Sequence, residues 1–462
     1  MPWIDEAATI LAVQRPWDGL LALAHGADAP LVPYYIVLKL WLRLVFFVPA
    51  LVGARMMSAL AAGATVGVLY WLMTRRTGWR SAVAAGLVLI AMPGFGRFAQ
   101  EARPYALLGL LVAVSWLAWS YHRWPPTPVA ALICYPLALA AAVVTSLFGA
   151  FQWPSQAGAL ITARGRTKRQ LFGLFAGFVV AGVLAAVPAE AAARHGTGPQ
   201  EIGSTGAVDQ LATLVQAVEV EPGHWVLAAA TLVLAVVGLA AAVRGENSGE
   251  RELAVMAAWW VTLPTALSLI VVCWHPGLLR PRYFEPALVP LALLAGLGIV
   301  AAARRSYPHG RGAAAALVAV LLGGVVVCSV PTQLRIRASD GHDRLTPVVL
   351  AAVDSELAQH PDGRLLVGGR LSAVLVVARP DLAARNVGAV VRRGSRQLWP
   401  GVPSRAAVAG ALGDAHDLIW VDGVRDLTAP LPNRPPLLVH GEGFSVVSAR
   451  RIGSWFVVVL RR

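Results

Sequence analysis

The residues able to do chemistry in this chain are few and sit at the ends of apolar segments. Asp5-Glu6 stands near the amino terminus, and Gln100-Glu101-Ala102-Arg103-Pro104-Tyr105 joins two apolar runs. His275-Pro276-Gly277-Leu278-Leu279-Arg280-Pro281-Arg282-Tyr283 opens another. Lys39 and Arg43 are four residues apart, hence on one face of a helix. Charge at a membrane boundary is costly unless it is paired or working. A carboxylate there can act as a general base, and a guanidinium grips phosphate bidentately. Each group also has a plainer reading. Asp5 is a fair N-cap for a helix over 7–13. Glu101 can pair with Arg103 or cap a helix starting at Pro104. Arg280 and Arg282 can snorkel to lipid phosphate in general, and His275 reads as a hydrogen-bonded rim residue.

The elements that must position these residues follow from composition. Of 462 residues, 57% are apolar and 14% charged, against about 25% charged in a soluble domain. That excludes both a single soluble core and polar disorder. The net charge of +14, from 39 basic and 25 acidic residues, invites a nucleic-acid reading until the charges are placed. Apolar runs cover 51–74, 79–93, 104–121, 128–148, 149–163, 171–189, 224–243, 253–274, 283–303 and 313–330. A span needs about 20 apolar residues, so about ten spans are expected, with 79–93 and 149–163 short for the task. Arg75/Arg76/Arg80, Arg123, Arg164/Arg166/Lys168/Arg169, Arg244/Arg251 and Arg304/Arg305/Arg311 all fall in alternate loops, which the positive-inside rule makes cytoplasmic. Segment 190–223 carries Glu190, Glu201, Asp209, Glu219 and Glu221 against Arg194, and belongs outside with 1–30, 94–103 and 274–282. The excess charge is thus mostly a topology signal, and no nucleic-acid partner is expected. Arg103, Arg280 and Arg282, together with Lys39, are the cations on the acidic side.

Three parts are expected: an outer loop with an interfacial helix over 1–50, a transmembrane core over 51–331, and a small extracytoplasmic α/β domain over 332–462. In the last, Leu345, Val348, Val349, Ala352 and Val353 recur at helical spacing. Runs 365–367, 373–378, 418–421 and 437–439 read as strands, and 444–449 with 455–460 as a hairpin around Arg450-Arg451-Ile452-Gly453-Ser454. Gly368-Gly369-Arg370 lacks the spacing of a phosphate-binding glycine loop. Cys134, Cys273 and Cys328 are isolated within apolar runs and offer no metal spacing.

One recurring pattern links the charged motifs. Trp3-Ile4-Asp5-Glu6-Ala7-Ala8-Thr9 is followed by Ala29-Pro30-Leu31-Val32-Pro33-Tyr34-Tyr35, Leu40-Trp41-Leu42-Arg43 and Arg55-Met56-Met57-Ser58-Ala59-Leu60. Phe98-Ala99-Gln100-Glu101-Ala102-Arg103-Pro104-Tyr105-Ala106-Leu107 and Pro281-Arg282-Tyr283 with Pro286 and Pro290 complete it. In this order the motifs resemble the GT-C glycosyltransferases, specifically the protein O-mannosyltransferase and aminoarabinose transferase family, glycosyltransferase family 39. The resemblance covers roughly the first quarter of the chain and the short Arg-Tyr block; the middle agrees in hydropathy alone, and 332–462 is not covered.

The resemblance implies an α-helical polytopic membrane protein of GT-C type. It would move a sugar, mannose or else arabinose, from a polyprenyl-phosphate donor to a glycan, lipid or protein acceptor, with inversion and outside the cytoplasm. Asp5 would be the general base and Glu101 the second acidic position. Glu6 would orient the acceptor or a divalent cation, Mg or Mn. Lys39, Arg103, Arg280, Arg282 and Tyr283 would hold the leaving phosphate, and Tyr34 and Tyr35 would line the donor pocket. Polyprenyl phosphate is already a good leaving group, so such a site needs a base near the acceptor and cations on the departing charge. The chain departs from the family in two places. Where relatives carry a His before the Tyr pair it has Pro30-Leu31-Val32-Pro33, and it starts three residues from the Asp-Glu motif, which relatives precede with a span. An upstream start, or a truncated, altered or inactive member, is expected from this. The rival readings are a transporter, which would favour ionisable residues in mid-span and broken helices in related halves, and a non-catalytic scaffold for envelope assembly. The Arg- and Ala-rich composition suits the plasma membrane of a bacterium.

Overall fold

The computed structural model describes residues 2–26, 28–123, 129–162, 168–195, 207–220, 225–274, 281–338, 345–389, 396, 398–399, 401–423 and 430–462. The chain forms two compact units, Met1–Asp28 with Arg337–Arg462, and Ala29–Ile336.

The first unit opens with α1 (Ile4–Val13) and α2 (Trp17–Ala22). Helix α1 is enclosed over most of its length. Every residue from Glu6 to Val13 is buried, and Arg15, also buried, donates to the Leu398 carbonyl at 3.3 Å. The expected three-part division therefore meets a different grouping, in which the first 28 residues belong with the carboxy-terminal part.

The second unit contains α3 (Val32–Leu44), α4 (Ala50–Thr74), α5 (Trp79–Ala91), α6 (Pro93–Phe98), α7 (Tyr105–Arg123), α8 (Val129–Thr145) and α9 (Gln152–Thr162). It continues through α10 (Lys168–His195), α11 (Ala207–Glu219), α12 (Val226–Arg244), α13 (Ser248–Trp274), α14 (Glu285–Ser306) and α15 (Arg311–Ile336). Each of the ten apolar runs read from the sequence overlaps at least one of these helices. Among the described residues five helices are long and apolar enough to cross a membrane: Ala50–Thr74, Val226–Arg244, Ser248–Ile270, Pro281–Ser306 and Arg311–Ile336. Shorter apolar helices cover Trp79–Ala91, Tyr105–Tyr121, Val129–Thr145 and Leu171–Leu184. The chain is a multi-pass membrane protein. Run 149–163 is not a span by itself, since the 11 residues of α9 reach about 16 Å against a hydrocarbon core of about 30 Å. Its polar residues face inward instead. Gln152 accepts from Trp116 Nε1 at 2.9 Å, and Gln156 accepts from the Tyr135 hydroxyl at 2.8 Å while donating to Ser115 Oγ at 3.1 Å.

Packing in this unit places small residues between the helices alongside large apolar ones. Helix α4 buries Gly53, Ala54, Ser58, Ala61, Ala62 and Thr65 and turns Val52, Leu60, Tyr70 and Trp71 outward. Lipid solvates large apolar side chains as well as a core does, so helices associate through small residues that let backbones approach. Helix α14 is the most enclosed of the spans and packs on α12, α5, α13 and α15. At the α12–α14 crossing a Cβ on Gly238 would strike the Leu294 carbonyl, and one on Gly298 the Leu234 carbonyl. A bidentate ion pair from Arg304 to Glu250, at 2.9 and 2.8 Å, ties the far end of α14 to α13.

The chain then returns to the first unit with α16 (Leu345–Gln359), β1 (Arg364–Val367), α17 (Gly369–Ala378), α18 (Pro380–Arg385), α19 (Arg405–Leu412), β2 (Asp417–Gly423), β3 (Ser445–Ile452) and β4 (Trp455–Arg461). The sheet runs β1-β2-β4-β3, with β1 parallel to β2 and the other pairs antiparallel. The α/β reading of this part holds, with three local corrections. Run 373–378 is helix α17, not a strand, because an unbroken apolar run suits a buried helix as well as a buried strand. Helix α1 packs against it. Segment Leu437–Val439 is a 3-10 turn. The hairpin turns on Gly453-Ser454 alone, with Gly453 at φ +58°, so Arg450, Arg451 and Ile452 lie in β3.

The α12–α14 crossing yields a test. Gly298→Leu should lower the melting temperature of the detergent-solubilised protein by on the order of 5 °C or more. Gly67→Ala, on α4 facing open space, should leave it unchanged or raise it.

Candidate functional site

Pro93 sets where the site's first loop begins. Helix α5 stops at Ala91, and Pro93, which cannot continue its hydrogen bonding, restarts the chain as N1 of the short α6. The residues after α6 turn back on themselves through Gln100 Nε2 to the Gly96 carbonyl at 2.8 Å and Arg103 N–H to the Glu101 carbonyl at 2.8 Å. Ser58 on α4 fixes the loop from below, donating its hydroxyl to the Glu101 carbonyl at 2.6 Å. The Glu101 carboxylate is 2% exposed and accepts from Arg97 Nε at 2.8 Å. Arg97, one helical turn earlier, is a partner that the sequence reading did not include.

Two and four residues after Glu101 come Arg103 and Tyr105, both buried. The Arg103 guanidinium lies 5.9 Å from the centre of the Tyr105 ring. The Arg282 guanidinium, from the 3-10 turn Pro281–Phe284, lies 5.7 Å from the same centre and 5.7 Å from the Tyr283 ring. The Tyr283 ring stacks on Phe148, at 4.1 Å and 10°, and Phe98 packs edge-on against Tyr105 at 5.6 Å. Two cations from segments far apart in sequence thus meet one aromatic ring, whose π-system favours a cation electrostatically.

Glu285 lies beside this cluster. It opens α14, three residues after Arg282, is 1% exposed, and neither carboxylate oxygen has a hydrogen-bond partner. It presses on Gly109, where a Cβ would collide with both oxygens. Gly109 is one helical turn beyond Tyr105.

The other expected residues distribute as follows. Lys39, Tyr34 and Tyr35 share α3. Both tyrosines are buried, with ring centres 6.0 Å apart. Lys39 is half-buried, and burial first and neighbouring Arg43 second hold its amine below the ordinary lysine value. Arg43, Phe46 and Phe47 are exposed, as an interfacial segment requires. Asp5 and Glu6 lie in the first unit. Trp3, not Asp5, is the N-cap of α1, and Glu6, fully buried, accepts from the Trp3 N–H at 3.4 Å. Asp5 occupies the first turn, half-buried. Arg280 and His275 lie outside the described residues. Among the described residues no group of three or more His, Cys, Asp or Glu side chains is placed to hold a metal ion, and the Glu101 carboxylate is already engaged by Arg97.

No protein-family model matches the chain, and no curated protein matches it. Solved structures do. ArnT from Cupriavidus metallidurans bound to undecaprenyl phosphate is 16% identical, with 99% of this chain and 96% of that one covered at a TM-score of 0.54. The same protein in the apo state is 15% identical, with 98% and 95% covered at 0.55. The fold of this chain is the GT-C fold.

The Arg97–Glu101 pair is testable by a double-mutant cycle. Arg97→Met should destabilise by about 2 kcal/mol because it strips a partner from a buried carboxylate. Combined with Glu101→Gln, the loss should be less than additive by at least about 1 kcal/mol, measured by denaturation in detergent.

Proposed function

We propose that the chain is a membrane glycosyltransferase that takes a sugar from a polyprenyl-phosphate donor. The observation that carries this reading is the convergence of Arg103 and Arg282 on the Tyr105 ring, in a fold whose solved example holds undecaprenyl phosphate. Charge develops on the departing phosphate as the glycosidic bond breaks, and fixed guanidinium groups stabilise that charge in proportion to how little they must reorganise. Tyr105, Tyr283 and Phe148 supply that rigidity. Lys39 and Arg280 are assigned to the same anion, and Tyr34 and Tyr35 to the donor pocket.

The acceptor hydroxyl attacks the anomeric carbon from the face opposite the phosphate. The carbon–oxygen bond to phosphate breaks with its electron pair on the phosphate, and the configuration inverts. Asp5 takes the hydroxyl proton, and Glu101 is the second acid of the site. Glu6 is assigned to orient the acceptor, with its cap on α1 as a concurrent duty. A divalent cation would be held by Glu6 or Glu101; Arg97 already engages Glu101, so no step is routed through a metal. The basic loops direct the site to the extracytoplasmic face of a bacterial plasma membrane. Mannose is the first sugar to test, arabinose the second, with glycan, lipid or protein hydroxyls as acceptors.

Membranes carrying the protein should transfer labelled sugar from a polyprenyl-phosphate donor to an endogenous acceptor. Asp5→Asn should lower turnover by on the order of 10²–10⁴-fold with expression intact, and full activity would remove Asp5 as the base. Arg282→Ala should raise the donor KM by about tenfold or more, the worth of a charge-assisted hydrogen bond; an unchanged donor KM would count against the phosphate assignment.

A further inference from the structure

Pro93 breaks the chain between α5 and α6, and a break of this kind inside a bundle is tolerated where neighbouring helices take up the freed backbone groups. Here the neighbour is α15. Gln333, on its last turn and 8% exposed, donates Nε2 to the Ile90 and Ala91 carbonyls, each at 3.3 Å. Those two carbonyls belong to the end of α5, where no further turn of the helix supplies an N–H. The same amide rests against Gly96 of α6, where a Cβ would come within 2.9 Å of Gln333 Oε1 and 3.2 Å of Nε2. At Gly94 the helix meets α11, and a Cβ there would strike the Ala217 carbonyl. A helix of six residues has too few hydrogen bonds of its own to fix its place, so α6 takes its position from these contacts.

Helix α6 carries Arg97, and Arg97 holds the Glu101 carboxylate at 2.8 Å. The backbone at Glu101 has a separate fastening on α4, because Ser58 donates to the Glu101 carbonyl at 2.6 Å. The Arg103 N–H donates to that same carbonyl at 2.8 Å. Backbone and carboxylate are thus tied to different helices, and the tie through Arg97 depends on where α6 sits. We propose that Gln333 is a positioning residue for the Glu101 carboxylate, acting through α6 and Arg97. This rests on the reading of Glu101 as the second acid of the site. Without the amide, α6 shifts and Arg97 shifts with it, and the carboxylate loses its fixed direction. Arg103 keeps its backbone anchor on α4, and Arg282 stands on the turn before α14. Gln333 therefore bears on turnover and leaves donor affinity alone.

The test uses the full-length protein in detergent with the polyprenyl-phosphate-linked sugar that wild-type membranes transfer, mannose first and arabinose second. Gln333→Met keeps the length of the side chain and cannot donate. It should lower kcat by on the order of tenfold, as a misdirected group near the chemistry does, and leave the donor KM within about twofold. Gly96→Ala disturbs the same contact from the other partner, because its Cβ displaces the end of a side chain and not backbone. It should lower kcat likewise, and it serves if the Met variant does not fold. A readout independent of turnover is the coupling between Arg97 and Glu101 in the double-mutant cycle, which should shrink by about half or more in the Gln333→Met background. Wild-type kcat per folded protein in both variants, a matching rise in donor KM, or undiminished coupling overturns the proposal. A lowered melting temperature with no change in kcat or coupling would make Gln333 merely structural. Glu101→Gln separates the two readings. Wild-type turnover there removes Glu101 as the second acid, while lost turnover there with wild-type kcat in Gln333→Met and Gly96→Ala sinks this inference alone.

Discussion

Two guanidinium groups lie within 6 Å of a single ring centre, 5.9 Å for Arg103 and 5.7 Å for Arg282, and the second unit holds both from separate segments. Arg103 follows a turn fastened to α4 by Ser58 and to α6 by Arg97. Arg282 is fixed between Tyr105 and Tyr283, and Tyr283 is itself stacked on Phe148.

The frame behind Arg282 is α14, which must be immobile for the arrangement to work. Its immobility is a matter of backbone distance. Gly238 and Gly298 let α12 and α14 touch main chain to main chain, and Gly296 admits Ala85 from α5 in the same way. In lipid there is little hydrophobic gain from pairing helices, so close approach and the dispersion contacts it allows provide much of the association. A side chain at 298 would push the helix outward and carry Arg282, Tyr283 and Glu285 away from Tyr105 together. Small residues deep in the bundle therefore act on the charged rim, although none of them touches it.

Much of this was legible in the sequence because it depends on composition along one segment at a time. The apolar runs became helices, the alternation of basic loops ordered them, and Glu101, Arg103, Arg282 and Tyr283 stood out as charges or rings at helix ends. What stayed hidden depends on pairs distant in the chain or on a boundary. Arg97 follows Gly94-Phe95-Gly96, which reads as loop until Pro93 is recognised as the first residue of a helix. Glu285 sits just inside run 283–303, where an acid beside Pro286 looks like a favourable helix start, and only the contact with Gly109 reveals that it has no partner. Phe148 carries no local signal of its stack on Tyr283. Run 373–378 was ambiguous in principle, because burial on all sides erases the periodicity that separates helix from strand.

Helix α1 shows the same limit from the other side. Its first turn was legible as a helix start, but its place was not, because its partner α17 lies more than 350 residues away in the chain. The eight residues from Glu6 to Val13 are buried without exception, which a short acidic segment between solvent and lipid would not need. Burial of that face fixes the rotation of the helix about its axis, and with it the direction of Asp5 on the first turn. Glu6 accepts from the Trp3 N–H at the start of the helix and is fully buried, whereas Asp5, one residue earlier, is half-buried. Two adjacent carboxylates of similar chemistry are thus separated by their surroundings. The difference in burial between Asp5 and Glu6 follows from the packing of α1, not from the side chains themselves.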